Sequence, residues 1–512
     1  MMNLRKIAPT CASAAAAGLL AAAPSALAAN PAADQPAQMQ PADAPAAGSG
    51  GTNSATAVGG SSPGFFSRFD AAVREQLATP AFAPAAPGAP APERRGLATP
   101  FDSPPFPTGE WQIGGTPIIG DHNTLPVWPL MEAIYGGPGG KAIKDSGIQL
   151  YGWVDFSGNL SSSKQAGVGP NGQYGNFPMI YAQRPNRMEL DQAVVYLEKT
   201  PDEFQTDHVD WGFRIANVYG LDYRYMISRG FLDAQLLHHN NPYGFDMPMM
   251  YMDFYVPNVA QGMNIRVGRI ISEADIEAQL APNNPMSSHS LLYSFDPYTQ
   301  WGVFSTIKLH DQWTVQGGIA AGNDVAPWQS DPGRQATGTV MLQYQSKDNK
   351  FSFYGGANSF NNGEFGYNNL QQFVGTLSYK FNDWVWTTWE TWYMYQKHAT
   401  TGPTDSVPFN NAFYPRTPGY APEWASLNYT MFRLGPSTFL TLRNEIFDDI
   451  VGNRTGYNTQ YTEHALGLTW WPTRLITVRP EIRFDHSYNQ YAFDNGTRKS
   501  QFTAQFDVIV HF

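Results

Sequence analysis

The 512-residue chain has little cysteine, little positive charge and no long apolar segment. It contains one cysteine, Cys11, and its 32 Lys and Arg against 43 Asp and Glu give a formal net charge of −11. An acidic chain lacks the basic face that nucleic acid phosphates require. It also lacks the roughly 18 continuous apolar residues that a transmembrane helix needs. The sequence therefore argues against nucleic-acid binding and against a helical membrane span.

The first 28 residues have the features of a secretory signal peptide. Arg5 and Lys6 precede an Ala-rich run over 12–23, and small residues at 26–28 offer a cleavage site. A membrane anchor is the alternative, but a proline and a serine interrupt the apolar run before it reaches spanning length. Cleavage would remove Cys11, so the mature chain would have neither a disulfide nor thiolate chemistry.

Composition divides the remaining chain into three parts. Residues 29–95 are rich in Ala, Pro and Gly, which predicts a disordered extension. One short amphipathic helix is expected within it, over Phe65–Ala78. Residues 96–146 are predicted to form an irregular segment before the folded domain, or a plug within it. From 147 to 512 the pattern changes to that of β-strands.

Sixteen stretches of alternating apolar and polar residues follow from 147 onward. The last reads QFTAQFDVIVHF, in which the even positions from Phe502 to Phe512 form an apolar face opposite Gln, Thr, Asp and His. This alternation predicts strands. It leaves both a soluble sandwich and a membrane barrel open, since the apolar face points to a core in one and to lipid in the other.

The connections between these stretches alternate in length. Short turns such as 310–312 and 472–474 lie between longer segments such as 161–186 and 272–298. Seven short and eight long connections make the fifteen that sixteen strands require. Short turns at one end and long loops at the other are typical of outer-membrane barrels. The predicted fold is therefore all-β, a transmembrane antiparallel β-barrel of about 16 strands with a largely disordered Pro/Ala-rich N-terminal extension.

Several motifs resemble the beta-barrel porin-2 (OmpL-like) family. They include GLATPFDSPPFPTGEWQIGGTP, YGWVDFSGNLSSS, VGRIISEADIEAQLAPNN and the terminal DVIVHF. The resemblance covers roughly residues 96–512. It implies an outer-membrane barrel that acts as a porin, and it implies no particular substrate.

Charged residues recur on the strand faces opposite the apolar ones. A charge that faces lipid near the bilayer midplane costs about 2–4 kcal/mol, so these side chains must face the lumen. One interpretation is a charged constriction that filters solutes by size and charge. The other is that opposite charges pair within the wall and stiffen it. The wall candidates for a constriction are Arg214, Arg266, Arg443, Glu445, Arg479, Glu481 and Arg483.

The third long connection, 272–298, adds Glu273, Asp275 and Glu277 to these candidates. Ser272 with Asp275 three residues on is a capping signal, which predicts a short helix that ends before Pro282. Resemblance to sixteen-stranded porins implies that this loop folds into the pore. The three acidic residues would then face arginines of the wall: Arg266, Arg443, Arg479 and Arg483. A surface loop with a solvated acidic helix is the alternative.

Metal binding and catalysis have little support in the sequence. His238 and His239 are adjacent, which on an extended strand places them on opposite faces, and no second cluster has metal-ligand spacing. No Gly-x-Ser-x-Gly turn follows a strand, as a serine hydrolase of the α/β type would require. We predict no metal, no cofactor and no enzymatic activity.

The sequence thus predicts a porin in the bacterial outer membrane, with its N-terminal extension in the periplasm. Its expected partners are outer-membrane lipid, small hydrophilic solutes and the barrel-assembly machinery, which would recognise a final strand ending in Val508, Val510 and Phe512. A homotrimer is expected by analogy with porins of this size. The alternative is a structural or adhesive barrel whose lumen is plugged by 96–146.

Overall fold

The computed structural model describes residues 63–79, 119–120, 127–165, 167, 174–272, 275–329, 335–348, 350–361, 370–382, 384–397 and 420–512. The predicted signal peptide, most of the predicted extension and Glu273 lie outside these residues.

Sixteen strands form the fold, as predicted. The strands are β1 (Gln149–Ser161), β2 (Met188–Lys199), β3 (Asp210–Gly220), β4 (Gly244–Val256), β5 (Met263–Ile271), β6 (Thr299–His310), β7 (Trp313–Asn323), β8 (Thr337–Gln345), β9 (Phe351–Phe360), β10 (Gln371–Asn382), β11 (Val385–Lys397), β12 (Tyr420–Gly435), β13 (Thr438–Asp449), β14 (Thr459–Thr473), β15 (Ile476–Ser487) and β16 (Ser500–His511). The helices are α1 (Phe65–Ala78), α2 (Pro129–Tyr135), α3 (Gly140–Ser146), α4 (Ala234–Leu237) and α5 (Leu291–Ser294), with 3-10 turns η1 (Asp222–Tyr225) and η2 (Ala281–Asn283). None of these described helices is both long and apolar enough to cross a membrane.

The strands close into one antiparallel ring. Each strand pairs with its neighbours in the chain, and β1 pairs with β16 to complete the barrel. Val154 lies opposite Val510 and Phe156 opposite Val508 in this closing pair. Closure leaves no unpaired strand edge, which is the condition for a β structure in lipid.

The alternation of the last strand corresponds to the two faces of the barrel wall. Phe502, Phe506 and Val510 are 47%, 40% and 37% exposed on the outside, whereas Asp507 and His511 are buried on the inside. The inner face is buried because other parts of the chain occupy the interior.

The connections alternate in length, and one of the short ones is longer than predicted. Turns such as 311–312 and 474–475 are short, while the connection from β2 to β3 spans 200–209 and is longer than the sequence pattern predicted. Asp202 accepts from the backbone of Phe204 and Gln205, and Asp210 accepts from the backbone of Asp202. These local bonds stabilise the turn, and β3 begins only at Asp210.

The predicted helix over Phe65–Ala78 is confirmed and is not isolated. Gln76 donates to Glu132 of α2 (2.8 Å), and the amide of Arg474 donates to the carbonyl of Thr79. Trp128, just before α2, stacks on the inward-facing His511 with 4.3 Å between ring centres. Helices α1 and α2 therefore pack against the end of the barrel that carries the short turns.

Candidate functional site

The connection between β5 and β6 folds into the barrel. From Asp275 to Tyr298 nearly every residue is buried. At one side Gln192 of β2 donates to the carbonyl of Gln279 (2.7 Å), and at the other Glu390 of β11 accepts from the amide of Ile276 (2.8 Å). Bonds to strands so far apart in the ring are possible only if the segment crosses the interior. We call residues 275–298 the inward segment.

Three arginines of the wall donate to backbone carbonyls of the inward segment. Arg443 bonds Ser288 (2.6 Å), and Arg483 bonds His289 (2.5 Å). Arg479 bonds two carbonyls, those of Ala281 and Asn284 (2.6 Å each). The three side chains are at most 2% exposed.

Two glutamates of the same wall accept from backbone amides of the segment. Glu445 accepts from Leu291 (2.8 Å) and Leu292, and Glu481 accepts from Ser288 (2.9 Å). Irregular backbone at membrane depth must have its polar groups satisfied by protein. The wall charges therefore act as hydrogen-bond partners of a non-helical backbone.

The arginines are also paired with carboxylates of the wall. Arg443 bonds Glu463 (2.6 Å), and Arg483 lies 3.3 Å from the same carboxylate. Arg483 also bonds Asp485 (2.7 Å), and Arg479 bonds both oxygens of Asp507. Removing one partner of such a buried pair typically costs about 3–5 kcal/mol.

Two of the acidic candidates of the loop are among the described residues, and of these Glu277 lies near an arginine of the wall. Its carboxylate is 3.8 Å from Arg443 and accepts from Tyr429 (2.6 Å). Burial opposes ionisation, but the hydrogen bond from His289 and the charge of Arg443 outweigh it and lower the pKa of Glu277 to about 2. Glu277 is therefore a fixed negative charge inside the barrel.

Asp275 does not face an arginine, contrary to the expectation. Its carboxyl lies near those of Asp296 and Glu390 instead. Burial is the main reason that its pKa rises to about 6. This group of carboxyls places the inward segment beside β11, and the neighbouring negative charges disfavour ionisation of Asp275 further.

The prediction of a short helix that ends before Pro282 is wrong for the described part of the loop. Residues 275–280 are bends and irregular backbone, and the 3-10 turn η2 follows directly. The side chain of Asn284 accepts from the amide of Ala278 (2.8 Å) and donates to its carbonyl. Side chains thus satisfy the backbone groups that a helix would have paired within itself.

Arg214 and Arg266 lie at a different place in the barrel. Arg214 bonds Glu198 (2.6 Å), and Arg266 bonds Asp253 (2.8 Å) with its guanidinium 4.0 Å from the ring centre of Tyr251. Both are near the starts of β3 and β5, toward the short turns. The nine candidates that the structure describes therefore do not form one ring.

Sequence reasoning missed several residues of this network. Glu463 and Asp507 pair with the arginines, and Ser288 bonds Arg443 and Glu481. Alternation within β14 and β16 was enough to place both carboxylates inside. In contrast, Ser288 lies in an irregular segment that has no periodic pattern.

Metal binding has no ready site here. In the described ranges no three His, Cys, Asp or Glu side chains are arranged to hold a metal ion together. The adjacent histidines His238 and His239 follow α4 directly and lie on a loop, not on an extended strand.

Solved structures that this chain resembles include the anion-selective porin of Comamonas acidovorans (TM-score 0.45, 11% identity, 71% of this chain and 99% of that chain covered) and OprB of Pseudomonas putida (TM-score 0.45, 10% identity, 74% and 98%). The outer-membrane channel DcaP of Acinetobacter baumannii is another (TM-score 0.43, 10% identity, 71% and 97%). Likeness at these values gives no information on the solute of this chain.

No curated protein matches the sequence. One family model does, over residues 147–512, which is the whole barrel from just before β1 to the last residue. The family is described as "Putative beta-barrel porin-2, OmpL-like". The closed ring of sixteen antiparallel strands agrees with that description, and the chain belongs to this family of outer-membrane porins.

Proposed function

We propose that this porin lets small hydrophilic solutes diffuse passively across the outer membrane, through a charged constriction between the inward segment and the wall that it contacts. The position of the inward segment carries the proposal, because it crosses the interior from β2 to β11 and narrows it. The wall side of the constriction comprises Arg443, Glu445, Arg479, Glu481 and Arg483. Fixed charges at a narrow point select solutes by size and charge.

The buried state of these charges means that passage depends on the inward segment. While it is docked, its backbone occupies the donors and acceptors of the wall. A solute gains access to them when the segment shifts. Arg214 and Arg266 would select solutes at a second position along the pore, nearer the short turns.

Ion conduction is the direct test. The refolded full chain is inserted into planar bilayers, and single-channel currents are recorded at neutral pH. Discrete current steps are expected, and their absence would refute a diffusion channel. The double variant Arg479→Ala/Arg483→Ala should shift the reversal potential toward cation selectivity, because it removes two positive charges. An exposed residue of a short turn, as in Lys347→Ala, is the matched control, and equal reversal potentials in both variants would contradict the constriction.

A plugged barrel is the second candidate, and one observation favours it. Residues before β1 reach the interior at the short-turn end, where Trp128 stacks on His511 and Lys308 donates to the carbonyl of Ile119 (3.0 Å). Comparison of the full chain with a chain lacking 29–146 separates the candidates. If the shortened chain conducts and the full chain does not, the plugged barrel is favoured. If both chains conduct similarly, the open channel is favoured.

Location and assembly extend the proposal. The N-terminal extension would lie in the periplasm, the barrel-assembly machinery would recognise Val508, Val510 and Phe512, and three copies would associate. Chemical crosslinking in outer-membrane preparations tests the trimer, and the yield of folded barrel from a Phe512→Ala variant tests the recognition.

A further inference from the structure

A row of side chains crosses the outer face of the barrel on four adjacent strands, β11 to β14. The strand register aligns them in the order Trp389, Asn428, Asn444 and His464. Trp389, at one end of the row, is 49% exposed. The neighbours of Asn444 in the chain, Arg443 and Glu445, are buried on the inner side. Because side chains alternate between the two faces of a strand, the row faces away from the lumen.

Small polar side chains lie beside this row on the same face. Thr387 and Thr391 are two positions from Trp389 on β11, and Ser426 is two positions from Asn428 on β12. Thr391 donates to Ser426 (2.8 Å), and Asn428 donates to Thr387 (2.8 Å). We call the polar residues of this region the polar patch: Thr387, Thr391, Ser426, Asn428, Asn444 and His464.

The polar patch lies at the depth of the lipid chains. Asn444 is close to the middle of β13, which runs from Thr438 to Asp449. Exposed aromatic side chains, which prefer the headgroup zone, lie toward the two ends of the same strands: Tyr420 at the long-connection end and Trp470 at the short-turn end. Hydrocarbon offers no hydrogen bonds, so polar atoms directed into it stay unsatisfied.

The outer faces of other strands contrast with the polar patch. The outward side chains of β16 are all apolar: Phe502, Ala504, Phe506, Val508 and Val510. A single outward asparagine on β3, Asn217, donates to the carbonyl of Val195 on the neighbouring strand (3.2 Å). Polar residues that gather on four adjacent strands are therefore a local feature of this wall, and contact with lipid does not explain them.

Asn444 and His464 present hydrogen-bonding atoms to the outside. Nδ1 of His464 lies 2.8 Å from Oδ1 of Asn444, and because an amide oxygen accepts, Nδ1 is the donor. The neutral ring then has an acceptor at Nε2, beside the donor Nδ2 of Asn444. Neither atom has a hydrogen-bond partner among the described residues.

We propose that the polar patch is the surface through which this barrel binds a second copy of itself. A copy that presents the same patch supplies what lipid lacks, because the Asn444 amide of one copy can donate to Nε2 of His464 in the next. Homo-oligomers close into symmetric rings, and in such a ring every acceptor meets a donor.

Two further properties of the polar patch fit contact with an identical surface. It contains no Asp, Glu, Lys or Arg, so two copies do not repel each other through fixed charges. Its threonines and serine are small, and small polar side chains let membrane segments approach closely and bond to each other.

This inference deepens the proposed association of three copies and rests on it, but it does not depend on conduction. It places the polar patches of the three copies around their common axis. Apolar outer faces such as that of β16 then remain in contact with lipid.

Thiol crosslinking in outer-membrane preparations tests the surface. The reporter is Ile446→Cys, on the same face of β13 as Asn444, where the isoleucine is 39% exposed. Ile319→Cys, the same change at an outward position of β7 that is 67% exposed, is the matched control. Cys11 is replaced by alanine in both chains, so the reporter is the only thiol. A short bismaleimide should join pairs of Ile446→Cys chains at least tenfold more than pairs of Ile319→Cys chains.

A second comparison removes the polar atoms. Asn444→Leu/His464→Leu, added to the Ile446→Cys chain, gives an outer face that lipid tolerates and should lower the crosslinked fraction at least tenfold. Asn217→Leu, the same change at the outward asparagine of β3, should leave the crosslinked fraction unchanged. Circular dichroism checks that each variant is folded.

Three results would overturn the inference. Crosslinking at position 319 equal to or above that at 446 would show that copies associate through another face, and the proposed trimer would stand. No crosslinking at either position, with a monomeric mass by light scattering, would overturn the trimer as well. Unchanged crosslinking in the folded double variant would remove the role of the polar atoms. If the double variant does not fold, the comparison of positions 446 and 319 still decides.

Discussion

Replacement of Arg443 by methionine should release the inward segment. Methionine is similar in size but loses the bonds from Arg443 to the carbonyl of Ser288 (2.6 Å) and to its hydroxyl (2.5 Å). A hydrogen bond to a charged group contributes about 1.5–3 kcal/mol, so two such bonds amount to roughly 3–6 kcal/mol. Since each 1.4 kcal/mol is a factor of ten, the undocked fraction should rise roughly 10²–10⁴-fold.

A cysteine reporter measures the undocked fraction without reference to conduction. Ser294 is fully buried in the segment, and Ser294→Cys changes its size little. With Cys11 replaced by alanine, the reporter is the only thiol in the chain. The rate of maleimide labelling should follow the undocked fraction and rise by the factor given above.

The matched control is Arg266→Met, which breaks a buried pair with Asp253 on the neighbouring strand. It tests whether loss of any buried arginine loosens the barrel. Equal labelling rates in the two variants, or no change in Arg443→Met, would refute the role of Arg443 as an anchor of the segment.

Docking of the segment should also depend on pH. Burial raises the pKa of Asp275 to about 6, so its proton stabilises the docked state at low pH and this stabilisation is lost as the pH rises through about 6. The rate of reporter labelling should therefore increase over that pH window. The variant Asp296→Asn, whose amide donates a hydrogen bond without titrating, should flatten the dependence of labelling on pH. An unchanged pH dependence would contradict the contact between the carboxyls of Asp275 and Asp296. Gly152→Ala should lower the free energy of unfolding by about 1–3 kcal/mol, because a Cβ there would lie 2.0 Å from a carbonyl oxygen of the facing strand. Gly317→Ala, whose Cβ would have no atom nearer than 3.9 Å, is its control in denaturant titrations, and equal losses would contradict the steric argument. Leu466→Arg places a charge on the outer face and should cost about 2–4 kcal/mol in the same assay, whereas a loss no larger than that of Leu466→Val would count against a lipid-facing position.

The barrel was predictable because its signals are local. Alternation has a period of two residues and is visible in each strand on its own, as in the stretch from Phe502 to Phe512. The number of turns gives the number of strands. An even number of strands in antiparallel order lets β1 pair with β16 and close the ring. The alternation also placed Arg479, Glu481 and Arg483 on the inner face, where the structure has them.

The surroundings of those charges were not predictable in the same way. Whether Arg483 meets water or the carbonyl of His289 depends on a segment that lies 194 residues earlier in the chain. The capping signal at Ser272 is local too, but contacts with the wall outweighed it. A β-bulge makes Asp191 an extra residue of β2 where β2 pairs with β1. It has no sequence signature, since it arises from the register between the two strands.

The bonds of the inward segment also imply an order of events during biogenesis. Its anchors lie on β13 and β15, far along the chain, and Arg443 follows Ser288 by 155 residues. The segment can make these bonds only when those strands already stand in the wall. The docked interior is therefore a product of barrel folding and cannot be a template for it.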